Sequence, residues 1–292
     1  MRALVTNDDG IDAAGLLTLA RVAHEAGLEV VVAAPHREAS GSSASLTALE
    51  EHGRFVVTER RLEGLPDVRA YAVEASPGFI ALTALRGAFG PIPELVLSGV
   101  NHGPNTGHAV LHSGTVGAAL SASAHGIRGM AVSIASGDPQ HWDTARYVTD
   151  QALAWLLEQP VDERVLNVNV PDIAPDRLRG IRPAKLASFG AVQARVKELG
   201  TGYVQLTYTG VEAEDEPGTD HYLLARGWAT LTMLRAPVDD DSGVTLPRID
   251  GTQSTAEGHE GEALVDVSTG TVMSTGSDRP TGEIDDDGDA PV

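Results

Sequence analysis

The chain has 292 residues, is 42% hydrophobic, contains no cysteine and carries a formal net charge of −20. This excludes disulfides, thiolate chemistry and Cys-ligated zinc, and argues against a general nucleic-acid surface; an anionic substrate would need local help from a metal or from backbone amides. No apolar run is long enough to span a membrane and the N-terminus enters a strand directly, so a soluble cytoplasmic protein without membrane partners is expected.

Residues 3–5 read as the first strand of a buried sheet, and the strand runs into Asn7-Asp8-Asp9-Gly10. Side chains alternate along a regular strand, so Asp8 and Asp9 can converge on one object only where the chain leaves strand geometry, which Gly10 permits. Adjacent carboxylates repel unless something positive lies between them, and a hard divalent cation with oxygen ligands fits there. An Asx-rich turn in which Asp12 caps the next helix is equally compatible with these residues. Residues 13–26 place Leu16, Leu19, Ala20 and Ala23 at helical spacing, with Gly27 as C-cap, and 29–34 form a β-branched strand stopped by Pro35. Such a strand–helix–strand unit implies a parallel sheet with a right-handed crossover. The Ser/Gly-rich segment 36–47 reads by composition as a flexible connection. It nevertheless starts on the same sheet edge as the two aspartates, where hydroxyls can ligate a metal or hold phosphate. His36 and Arg37, just after the strand end, read as solvated.

Residues 50–63 suggest an edge hairpin with 54–57 as one arm, followed by a strand over 68–73, a helix from Ser76-Pro77-Gly78 to Gly87 and a buried strand over 94–98. A glycine-punctuated loop, 98–115, then leads to a helix over 116–124. It is neither a Walker loop nor a dinucleotide fingerprint. Ser113-Gly114-Thr115 stands where that helix begins, so its amides can hold phosphate; the alternative is that Ser113 is only an N-cap. Loops of this length in compact domains are usually functional. A strand over 129–134, an amphipathic helix over 141–157 and a strand over 165–170 follow. Hairpin arms lie within 185–209, Gly218-Thr219-Asp220 precedes a short helix, and 227–234 form the last strand. Residues 239–292 hold fourteen acids against Arg248 and Arg279, the composition of a disordered acidic tail.

His102, His108 and His112 are six and four residues apart in a loop without fixed geometry, which favours one histidine as a proton donor or cation near the phosphate over a zinc site. Trp155 and Trp228 read as packing residues.

With these segments in place, the chain resembles the SurE family, the survival protein E or 5′/3′-nucleotidases, from residue 1 to about 234. The resemblance is carried by Asn7-Asp8-Asp9-Gly10; by Ala34-Pro35, Ser40-Gly41 and Ser45-Leu46-Thr47; by Ser98-Gly99-Val100-Asn101 with Gly103, Asn105 and Gly107; by Ser113-Gly114-Thr115-Val116; by residues 166–171; and by Gly218-Thr219-Asp220 with Gly227. It implies an α/β, Rossmann-like fold: a mostly parallel sheet flanked by helices, with a C-terminal β-hairpin extension used in oligomerisation. The divisions would be a catalytic core (1–183), a hairpin extension with the last strand (184–238) and the acidic tail (239–292). It further implies one divalent ion per subunit, Mg²⁺ or Mn²⁺, ligated by Asp8, Asp9, Ser40 and Asn101. Phosphate would be held by Ser113, Gly114 and Thr115, with Asn7 and Asn105 nearby, and Asp8 or Asp9 would act as base. The expected activity is hydrolysis of nucleoside monophosphates by a homodimer or homotetramer. The chain departs from the family pattern at His108, Ala109 and His112, at Ser121, at Ala39, and across 75–80, where Gly-Thr-Pro-x-Asp-Cys is usual. Two rival expectations are a phosphatase for another small phosphoester and a catalytically silent nucleotide-binding homologue.

Overall fold

The computed structural model describes residues 1–51, 54–160, 164–188, 192–200, 203–210 and 216–238, with 50–51, 192–200 and 203–210 described by their backbone. The acidic tail expected over 239–292 lies outside the described residues. In chain order the elements are β1 (Arg2–Thr6), α1 (Ala14–Glu25), β2 (Glu29–Pro35), β3 (Glu50–Glu51), β4 (Arg54–Phe55), β5 (Val57–Leu62), β6 (Leu65–Val73), α2 (Pro77–Ala84), β7 (Leu95–His102), α3 (Gly114–Ser123), β8 (Arg128–Ile134), α4 (Trp142–Glu158), β9 (Arg164–Val170), β10 (Ile181–Pro183), β11 (Val192–Gly200), β12 (Tyr203–Gly210), α5 (Asp220–Leu224) and β13 (Ala229–Arg235).

Nine strands form one sheet in the order β10-β13-β9-β8-β7-β1-β2-β6-β5. The six from β9 to β6 run parallel, whereas β13 joins β9 and β5 joins β6 antiparallel. Strands in such a sheet are buried on both faces and need continuous apolar runs, as β1, β2, β7 and β8 have. Alternation then divides the core. Ala3 and Val5 of β1 pack with α1 and α4 on one face, while Leu4 packs with α2 and α3 on the other. Strands β11 and β12 pair antiparallel with each other over the expected hairpin segment.

Several local expectations change. The edge hairpin is made by β5 and β6 around Gly64 (φ +75°), while residues 54–55 pair with 50–51 in a separate short ladder. Strand β5 lies at the sheet edge with no fully buried residue, so its sequence lacks the apolar alternation that marks a hairpin arm. The helix at 76–87 ends at Ala84, and β7 continues through Gly99 to His102. What remains of the long loop is shortened further by a 3₁₀ turn, Gly107–His112. Trp155 is 42% exposed rather than packed in the core. Trp228 is half-buried, with the Arg182 guanidinium 3.8 Å above its ring.

Candidate active site

Chain order reverses at β1. The chain leaves β1 for α1 on one face of the sheet, and it leaves the neighbouring β7 for α3 on the other face. The carboxyl ends of β1 and β7 therefore splay apart, and such a switch point is where open α/β sheets bind ligands. Asp8 and Asp9 follow β1, and Asn101 and His102 end β7.

Asn7 is fully buried, and its amide spans the turn, donating to the Gly10 carbonyl (2.9 Å) and accepting from the Gly10 N–H (3.2 Å). It shapes the turn that releases the aspartates. Asp8 is 3% exposed and accepts a short hydrogen bond from the Thr115 hydroxyl. Burial, reinforced by the charge of Asp9, pushes the Asp8 carboxyl up to about 6, against the Thr115 hydrogen bond. Asp9 is half-buried, accepts from the His102 N–H (3.2 Å), and is likewise raised, chiefly by burial. Asp12 is exposed and caps nothing; the N-cap of α1 is Ala13.

The amide nitrogen of Asn101 donates to the carbonyls of Gly103 (2.7 Å) and His102 (3.2 Å), which fixes the amide plane and leaves Oδ1 as its acceptor. Ser40 lines the same crevice as Asp9, and its hydroxyl donates to Glu38 (2.7 Å). The loop that carries it is held firmly. Ala39 donates to the Asp8 carbonyl (2.7 Å), the Ser43 hydroxyl to the Leu111 carbonyl (2.7 Å), and the Ser76 hydroxyl to the Ser45 carbonyl (2.5 Å). The flexible connection suggested by composition is thus a docked loop.

Ser113 is the N-cap of α3, its hydroxyl accepting from the Val116 N–H (3.1 Å). The capping alternative therefore holds for its side chain. The start of α3 still reaches the aspartates: a Cβ on Gly114 would lie 2.6 Å from Ser42 Oγ and 2.8 Å from Asp8 Oδ2. Asn105 sits deeper, as an anchor. Its N–H donates to Asn169, its amide to Ser133, and its carbonyl accepts from Asn167 and Asn169, all at 2.8–2.9 Å. Asp220 fixes the other end of this loop from the far end of the chain, accepting from Gly107 (2.9 Å), Ala187 (3.0 Å) and His221 (2.8 Å). Burial raises its carboxyl despite those three N–H groups.

The crevice, about 570 Å³, is lined by Asp9, Gly10, Asp12, Ala13, His36, Glu38, Ser40, His102 and Gly137. A second groove of about 370 Å³ adjoins it and adds Ser42, Ser45, Thr47, Glu74, Ala75 and Ser76. All three loop histidines are exposed, but only His102 lines the crevice, its ring 5.6 Å from that of Trp142. Among the described residues no three His, Cys, Asp or Glu side chains are grouped to hold a metal. The carboxylates lining the crevice are Asp9, Asp12 and Glu38, with Asp8 buried against Thr115, and Ser40 and Asn101 add neutral oxygens. No cationic side chain bridges the aspartates among the described ion pairs, and the buried Ser42 Oγ has no hydrogen-bond partner among the described residues. These residues fit a hard divalent cation better than a soft one. Of the departures from the family pattern, Phe79 packs edge-on against Phe55 (5.4 Å), so only Ala75 and Ser76 of that stretch line the groove.

Sequence reasoning did not single out Ser42, Glu74 or the anchoring role of Asp220. The Gly218-Thr219-Asp220 motif was a signal for the last; nothing local marked the other two.

Fold and site together define an α/β protein of the Rossmann-like class with an acidic, oxygen-lined crevice at its switch point. The model for "Survival protein SurE" matches residues 3–192. A 5′-nucleotidase SurE of Methylococcus capsulatus is 34% identical, over 85% of this chain and 98% of its own length. A 5′/3′-nucleotidase SurE of Erwinia tasmaniensis is 35% identical, over 80% and 90%. The crystal structure of the SurE protein from Aquifex aeolicus superposes with a TM-score of 0.69, covering 83% of this chain and 96% of that one at 24% identity. The chain belongs to the SurE family, whose nucleotidases are in general metal-dependent.

If Asn101 Oδ1 is a metal ligand, Asn101→Ala should weaken metal binding and lower turnover at least about tenfold. Asn101→Asp, which keeps an oxygen, should retain more affinity. Calorimetric metal titration beside steady-state rates checks both; wild-type affinity in Asn101→Ala would remove this residue from the site.

Proposed function

We propose that the chain hydrolyses nucleoside 5′- or 3′-monophosphates to nucleoside and phosphate, with one Mg²⁺ or Mn²⁺ per subunit held by Asp8, Asp9, Asn101 and Ser40. The observation that carries this reading is the convergence of Asp9 with the end of β7, 93 residues away, and of Asp8 with the start of α3, at the switch point of the sheet. When bound, the cation would neutralise charge developing on the phosphate and acidify the attacking water. Asp9, the more exposed carboxylate, takes the proton of that water. Thr115 locks the Asp8 carboxylate in place. At the start of α3 the Thr115 and Val116 amides are taken by Asp8 and the Ser113 hydroxyl, so the Gly114 N–H is the one that would hold a phosphate oxygen. Ser45 and Thr47 offer hydroxyls to the nucleoside in the adjoining groove, while the Ser76 hydroxyl holds their loop, donating to the Ser45 carbonyl and accepting from the Thr47 N–H. The two hydroxyls that sit on carboxylates here, Thr115 on Asp8 and Ser40 on Glu38, serve as holding groups in this reading, and water attacks directly.

Ala75 and Ser76, which replace the family's usual groove residues, favour a second reading in which a different small phosphoester is the substrate. The β11–β12 hairpin would serve assembly as a homodimer or homotetramer, in the cytoplasm. A panel of nucleoside monophosphates and other phosphate esters, assayed with Mg²⁺, Mn²⁺ or EDTA, tests the proposal. Nucleotide turnover should appear with metal and fall to background on chelation. Full turnover in metal-free buffer would sink it.

A further inference from the structure

His36 and Glu74 are 38 residues apart in sequence, yet the parallel register of β2 and β6 delivers them side by side. The last register pair is Pro35 with Val73, and the His36 N–H donates to the Val73 carbonyl (2.8 Å). The next residue on each strand then leaves the sheet at the same level. His36 Nδ1 lies 2.5 Å from Glu74 Oε1, with the two side chains 38% and 33% exposed. The solvated histidine expected from sequence is therefore a held one. A carboxylate on Nδ1 fixes ring orientation and tautomer, and Nε2 is the nitrogen left for a ligand.

Position adds the second argument. His36, Glu38 and Ser40 are the residues common to the acidic crevice and the hydroxyl-lined groove. A phosphomonoester with its phosphate at Asp9 and its organic part in the groove puts the bridging oxygen at that shared rim. Glu38 accepts from Ser40 there, which leaves His36 as the rim's proton carrier. His102 lines the crevice alone and leans on Trp142.

Resting on the phosphomonoesterase reading above, we infer that His36 is the catalytic residue that protonates the leaving oxygen and that Glu74 is its positioning residue. As water adds to phosphorus and gives its proton to Asp9, the bond between phosphorus and the ester oxygen breaks. Its electron pair stays on that oxygen and takes the Nε2 proton of the imidazolium. The products are the alcohol, phosphate and neutral His36, which regains a proton from solvent as Asp9 loses one.

Leaving-group dependence separates this role from a structural one. A nucleoside alkoxide leaves poorly without a proton, whereas p-nitrophenolate needs none. The full chain and its His36→Gln, Glu74→Gln and His102→Gln variants are assayed with Mn²⁺ on a nucleoside monophosphate and on p-nitrophenyl phosphate, with Mn²⁺ affinity measured by calorimetry. His36→Gln should lose about a hundredfold or more in kcat on the nucleotide, the lower range for general acid catalysis. It should keep p-nitrophenyl phosphate turnover within about threefold of wild type, on the same grounds, with Mn²⁺ affinity unchanged. Glu74→Gln should show the same asymmetry at smaller size, and His102→Gln should not show it. Equal losses on both esters, an unaffected nucleotide rate, or the asymmetry appearing in His102→Gln would each overturn the assignment. A wild-type chain inert toward both esters would instead overturn the phosphomonoesterase reading, and this inference with it.

Discussion

Asp8→Asn should abolish turnover and at the same time make the metal-free fold more stable above about pH 6. Asp8 is buried and its carboxyl is raised from 3.8 to about 6 by desolvation and by the charge of Asp9. A folded-state value above the unfolded one means that the folded protein binds the proton more tightly. The stability contributed by protonated Asp8 is complete below about pH 4, is lost as pH rises through about 6, and stays lost above it. The shift corresponds to up to about 3 kcal/mol. Asparagine has nearly the same shape and no charge, so it removes that cost while deleting a candidate metal ligand. Turnover should fall by more than about a hundredfold, beyond the usual effect of perturbing a ligand's partner. Urea denaturation in EDTA at about pH 4.5 and about pH 8 checks the sign. The variant's advantage should be larger at the higher pH, and saturating Mn²⁺ should give wild type a stabilisation that the variant lacks. An Asp8→Asn protein less stable than wild type at the higher pH would show that the buried charge is compensated by some other group.

Gly15→Ala should destabilise the protein by roughly 3 kcal/mol, the upper range for inserting atoms into a packed core. In an isolated helix the same change helps, because alanine exceeds glycine in helix propensity by about 1 kcal/mol. Here a Cβ on Gly15 would fall 1.9 Å from the Val100 carbonyl oxygen and 2.9 Å from its carbon. Backbone sets that contact, so no side chain can rotate away. The irregular stretch of β7 between Ser98 and Asn101 lies directly beneath α1, and pushing Val100 aside moves Asn101 as well. Stability and metal affinity should therefore fall together. Urea denaturation and calorimetric metal titration of the variant test this; a stable variant with intact affinity would mean that α1 can move away without disturbing the end of β7.

The route from sequence to site was uneven. Apolar, β-branched runs such as residues 29–34 and 165–170 identify buried parallel strands because both faces of such a sheet are covered, and Asn7-Asp8-Asp9-Gly10 marks the end of one by its abrupt polarity. Exposed pairings leave weaker marks. Strand β5 is exposed over its first three residues and nowhere fully buried, and only its antiparallel pairing with β6 defines it. The glycines of 98–115 suggested a loop, yet the first five residues of that segment belong to β7, because β8 pairs again with Asn101 and His102 beyond the irregularity that follows Ser98.

What the sequence determined by itself was local: which segments are strands and helices, where carboxylates and helix-start amides occur, and that the donors are oxygens suited to a hard cation. These follow from periodicity, turn chemistry and side-chain type, all of which act over a few residues. The tertiary structure decided the pairings. It alone set Thr115 against Asp8, Asp220 against Gly107 and Glu74 against His36, contacts spanning 107, 113 and 38 residues. The physical reason is that strand order and register, fixed by burial of the whole sheet, choose which loop ends meet at the switch point, and no stretch of chain carries that choice on its own.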